Sequence, residues 1–125
     1  MMWTEERLHR LAQKFLKQLK IRNAAVDIIM LPNASIARLK ARFIKKKTEP
    51  NVLAFPEPAA FPHPEIRKRH LGEIYLNKDI LRRSPERGPH LLLHGLLHLL
   101  GHDHKKNADA AKMEKLEKKL LERLH

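Results

Sequence analysis

Apolar residues recur at helical spacing near the start of the chain: Leu8, Leu11, Ala12, Phe15, Leu16 and Leu19. Steps of three and four put them on one face of a helix. Thr4 stands where an N-cap is needed, and Glu5 and Glu6 suit the positive end of the first turn. The run Ala25–Leu31, AVDIIML, is β-branched and apolar and predicts a strand, which Pro32 and Asn33 end. A second helix is expected next, with Ile36, Leu39 and Phe43 facing inward. Its outer face carries Arg38, Lys40, Arg42, Lys45, Lys46 and Lys47. Asn51–Phe55 and Leu71–Asn77 read as two further strands, and Asn77 to Arg83 as a short helix or turn. Between those strands Pro56, Pro58, Pro62 and Pro64 keep the chain extended and loop-like. Met113, Leu116, Leu120 and Leu124 predict a last helix, with Asn107 as its cap.

The most apolar stretch has a different pattern. Pro89 fits the first turn of a helix, and Gly101 stops it, because glycine readily takes the left-handed conformation past a helix end. The helix expected from Pro89 to Leu100 is roughly 18 Å long at 1.5 Å per residue. Leucine lies almost all round it, which marks a buried central helix. His90, His94 and His98 follow each other at steps of four and form its one polar stripe.

A buried imidazole needs partners for its nitrogens, and a metal ion is one such partner. Two imidazoles one turn apart can reach the same ion at about 2.0–2.1 Å, with a third ligand from elsewhere and one position left open. Gly101 turns the chain, so that His102 or His104 can swing back toward the helix. The spacing favours His104. His94, His98 and His104, with glycine three residues after the second histidine, match the three-histidine pattern of the metzincin metalloproteases. Those proteases carry their general-base glutamate directly after the first histidine, where this chain has Gly95. That argues against peptide hydrolysis. His90 lies a turn too early for the same ion and reads as a hydrogen-bonded core histidine or one that supports a ligand histidine from behind. Asp103 reads as a turn residue, with a hydrogen bond to a ligand histidine as its other role. His9, His63, His70 and His125 are scattered and expected on the surface.

Composition narrows the chemistry. The 125 residues suit one domain, 1–125. Cysteine is absent, which excludes disulfides and thiolate ligands and fits a reducing compartment. Any metal must take histidine, carboxylate or water. Lysine and arginine number 26 against 14 acidic residues, a formal charge of +12. So large an excess attracts polyanions, nucleic acid first. The start, MMWTEERLHR, has no apolar leader segment, and the leucine run falls short of the roughly 20 residues a membrane span needs. A cytoplasmic protein without a membrane partner is expected.

The stretch HGLLHLLGHDH, His94–His104, resembles the signature of the YbeY family of endoribonucleases, His-Gly-x-Leu-His-Leu-x-Gly-Tyr-Asp-His, with His102 at the tyrosine place. Asn51–Phe55 followed by Pro56 resembles the family's Asn/Asp-Val-Leu-Ser-Phe-Pro, with Ala54 at the serine. LGEIYLN resembles its Leu-Gly-Asp-Ile strand, and His90-Leu91 and the C-terminal MEKLEKKLLERL also fit. The resemblance implies an α+β single domain, a small mixed β-sheet packed by helices, with a zincin-like site on the central helix. It implies one zinc ion held by His94, His98 and His104. It also implies single-strand RNA cleavage in 16S rRNA 3′-end maturation, rRNA processing and ribosome quality control. The partners would be ribosomal RNA and the small ribosomal subunit. The place of a family arginine falls on Ile44, after Phe43. The basic neighbours Arg42 and Lys46 are therefore the candidates for holding RNA. The chemistry expected is metal-assisted phosphodiester hydrolysis with a metal-bound water as nucleophile and no assigned general base. Its rivals are a non-catalytic RNA-binding assembly factor with a structural metal and an atypical metallopeptidase.

Overall fold

In the computed structural model, which describes residues 2–43, 50–57, 69–101 and 107–124, helices and strands alternate along the chain. Helix α1 is Glu5–Gln18, β1 Ala24–Leu31, α2 Asn33–Phe43, β2 Val52–Pro56 and β3 Arg69–Asn77. Then come α3, Lys78–Arg83, a 3-10 turn at Pro85–Arg87, α4, Gly88–Leu99, and α5, Asn107–Glu122. The sheet has the order β1-β3-β2, with β1 parallel and β2 antiparallel to the central β3. The fold is the expected α+β arrangement, with a mixed sheet packed by helices.

The capping residues act as their chemistry suggests. The Thr4 hydroxyl accepts from the backbone N–H of Arg7 at 3.1 Å. Asn77 closes β3 and caps α3, accepting from the N–H groups of Asp79 and Ile80 at 3.0 and 3.2 Å. Its amide donates in turn to Asn33 and Asn51, so a fully buried polar side chain is satisfied on every side. Gly101 follows α4 at φ +96°, the left-handed turn expected of it.

Helix α4 is the centre of the core. Leu91, Leu92, Leu93, Leu96 and Leu97 are all fully buried, and such burial stabilises by about 1.5–3 kcal/mol per leucine. Leu8, Ala12, Phe15 and Leu16 of α1 join the same cluster, as do Val26, Val52, Ile74 and Leu76 of the sheet. Met113 and Leu120 of α5 close it from another side. At the entry to α4 the Trp3 indole N–H donates to the Pro85 carbonyl at 2.6 Å and its ring covers Gly88.

Two expectations need correction. Phe43 has the spacing of an inward-facing residue of α2, yet it is 57 % exposed. It is the last residue of α2 and stands edge-on to Phe55, at 5.7 Å between ring centres, on the sheet face that also carries Tyr75. His70 was placed on the surface, but it lies half-buried and ties the three strands together. Its Nδ1 pairs with Glu57, just past β2, at 2.7 Å, and its Nε2 with Asp27 of β1 at 2.9 Å.

Burial works to lower the His70 pKa, but the hydrogen bonds and charges of Glu57 and Asp27 outweigh it and raise it above the ordinary 6.5. A raised folded-state pKa gives stability that is complete below the unfolded value, about 6.5, and is lost as pH rises through the folded one. His70→Gln removes this contribution. Its melting temperature should therefore fall furthest below that of the wild type at about pH 6, and the gap should close toward alkaline pH. A gap that stays constant in thermal melts across that range refutes the clamp.

Candidate metal centre

The site is built on the polar stripe of α4. His94 and His98 stand one turn apart, and their Nε2 atoms face each other at 3.1 Å. The rings meet edge to face, with centres 4.6 Å apart. His94 is 12 % exposed, so water satisfies little of it. Two nitrogens on one tetrahedral ion at 2.0–2.1 Å lie about 3.3 Å from each other. The observed separation is within a few tenths of an ångström of that, so the pair fits a shared ion with little movement. Nitrogen donors of this kind suit zinc.

The remaining sequence-predicted residues divide between the described and the undescribed parts. His104, with its rival His102 and Asp103, lies outside the described residues, as does Lys46. Among the described residues no three histidine, aspartate or glutamate side chains form a ligand set. Arg42 is exposed near the end of α2, with its guanidinium 5.5 Å from the centre of the Phe43 ring.

A residue that the sequence reading passed over completes the stripe. Glu117 of α5 is buried, and its Oε2 lies 2.9 Å from His90 Nε2 and 3.8 Å from His94 Nδ1. Burial opposes its charge, but the hydrogen bonds and charges of His90 and His94 outweigh this and hold the carboxyl down to about 2. A signal for it was present. Met113, Glu117, Leu120 and Leu124 share the helical spacing of a buried stripe, so a carboxylate occupies a core position of α5. His90 thus stands beside the site and pairs with Glu117, but it is half exposed rather than in the core.

Gly95 faces the other way. A methyl group built there would lie 2.9 Å from Ile74 Cγ2 and 3.1 Å from Val52 Cγ2. The position is where α4 presses closest on the sheet, and a glutamate there would have to displace both side chains. Packing accounts for the glycine.

A family model described as Endoribonuclease YbeY matches residues 2–125. The chain belongs to this family. Three relatives carry the same name. One from Chelativorans sp. (strain BNC1) is 37% identical over 109 residues, covering 81% of this chain and 66% of the relative. One from Jannaschia sp. (strain CCS1) is 37% identical over 115 residues, covering 80% of this chain and 72% of the relative. One from Nitrobacter hamburgensis is 40% identical over 114 residues, covering 82% of this chain and 59% of the relative. The chain therefore spans about two thirds of the length of these YbeY relatives. Among the described residues, no helix is long and apolar enough to cross a membrane.

Gly95→Ala tests the close approach of α4 to the sheet. Alanine gains about 0.5–1 kcal/mol in helix propensity, and overpacking costs about 1–3 kcal/mol. Urea unfolding should show a net loss of about 1 kcal/mol, and Gly95→Glu should not yield a folded protein. A Gly95→Ala variant more stable than the wild type contradicts the packing account.

Proposed function

We propose that the protein is a metal-dependent, single-strand-specific endoribonuclease acting in 16S rRNA 3′-end maturation, rRNA processing and ribosome quality control. The observation that carries this reading is the facing pair of imidazole nitrogens on α4, in a chain of the YbeY family. The +12 charge supports an RNA or ribosomal partner on independent grounds.

In this reading His94 and His98 hold one zinc ion, with His104 as the third ligand. Bound there, zinc supplies a Lewis acid that activates water near neutral pH and polarises a phosphoryl oxygen. The chain supplies the rest. His94 and His98 bring their Nε2 atoms to one point on the polar stripe of α4. Arg42, with Lys46 beyond it, holds the RNA backbone and offsets charge that develops on the phosphate. No residue is assigned as general base. Small-subunit RNA is the substrate class, ribosomal particles are the partner and the cytoplasm is the compartment. Peptide hydrolysis finds no support, because position 95 is directed into the sheet.

His98→Ala should lose both bound metal and cleavage of single-stranded RNA, read by metal analysis and gel assay on the same preparation. Full cleavage by a metal-free variant overturns the proposal. Loss of folding, rather than of cleavage alone, on chelation would mark the metal as structural and favour the non-catalytic assembly factor. Arg42→Ala should weaken RNA binding and lower the slope of log K against log salt by about 0.7, the value for one single-strand phosphate contact. An unchanged slope in filter binding removes Arg42 from the interface.

A further inference from the structure

Helix α5 approaches the histidine stripe through one buried polar group. Glu117 is 5 % exposed and stands on the line of Met113 and Leu120, both buried against α4. A carboxylate in that position has a large desolvation cost, and it is held there by the partner that stands beside it. Its contacts all lead to the stripe. Oε2 is 2.9 Å from His90 Nε2 and 3.8 Å from His94 Nδ1, while His94 Nε2 faces His98. The two nitrogens of the His94 ring therefore face opposite partners.

We propose that Glu117 is a positioning residue for the metal centre: it holds the His94 proton on Nδ1 and so keeps Nε2 free to bind the ion. A neutral imidazole carries one proton, and the group that faces one nitrogen decides which nitrogen remains a ligand. At 3.8 Å the Glu117 carboxylate acts on Nδ1 through its charge, which favours the proton on that nitrogen. His90 acts on the same oxygen from the side of the preceding turn. Because it is half exposed, it anchors Glu117 without burying a second charge. The order His90–Glu117–His94 runs from the rim of the site toward the metal position and joins α5 to α4.

The assignment rests on the metal reading of His94 and His98, and the test separates the two. Zinc affinity is measured by chelator competition on the full chain, for the wild type, Glu117→Gln and Glu117→Met. Both variants should bind zinc about 10–100-fold more weakly, the usual effect of removing a carboxylate behind a ligand histidine. Glu117→Met breaks the pair with His90 and should melt below the wild type before zinc is added, so the near-isosteric Glu117→Gln, checked for folding by circular dichroism, carries the comparison of zinc affinities. In the zinc-loaded wild type the His94 Nδ1–H should give a downfield, exchange-protected proton resonance, absent from both variants. If the wild type binds no zinc, the metal reading and this assignment fall together. If the wild type binds zinc and the variants bind it equally well, the assignment alone falls.

Discussion

Helix α4 has to be buried on almost every side and still present three imidazoles along one stripe. Leucine meets the first demand and Gly95 makes it possible, because α4 approaches the sheet at Val52 and Ile74 more closely than a side chain allows. That approach orients the helix. With Gly95 against the sheet, His94 and His98 cannot turn inward without carrying leucines into water. Everything else in the fold is arranged around this contact. Helix α1 covers the flank with Leu8, Ala12, Phe15 and Leu16, and α5 closes the core with Met113 and Leu120.

The polar stripe costs stability that the leucines can offset. Partly buried histidines and a buried carboxylate are tolerated because they stand beside one another: Glu117 Oε2 makes no well-aligned hydrogen bond but lies 2.9 Å from His90 Nε2. His90 and Glu117 form an ion pair, and His94 lies between Glu117 and His98. The pairing separates two tasks within two turns of helix. His90 meets the carboxylate from the half-exposed rim, and His94 and His98 turn their nitrogens toward each other.

Much of this was legible in the sequence because periodicity reports burial directly. The leucines of α4, the Thr4 cap and the Gly101 stop follow from local rules, and the structure keeps all three. What escaped were pairings between distant segments. His70 looks like an isolated surface residue until β3 is placed between β1 and β2, which brings Asp27 and Glu57 to its two nitrogens. Glu117 resembles its many charged neighbours on α5 until its place on the apolar line is compared with the stripe on α4. Phe43 has the right spacing for the core, but it ends its helix, and Phe55 and Tyr75 offer it an aromatic edge in place of burial.

The direction of Gly95 also limits where a proton acceptor for the chemistry can stand. The helix position next to the first histidine points into the sheet, so α4 itself supplies no carboxylate to the open side of the pair. Glu117 is the one buried carboxylate among the described residues, and it lies toward Nδ1 of His94, the ring edge opposite the one that faces His98. Among the described residues, then, packing directs position 95 away from the histidine pair, and Glu117 is taken up beside His90. In the function proposed above, such a hydrolase would rely on the ion for its nucleophile and on cations for its substrate. Phosphodiester hydrolysis suits that division of labour, because its charge develops on oxygens that arginine and lysine can hold. Peptide hydrolysis must also protonate a leaving amine, and the residues that would do so in a protease have no counterpart on this helix.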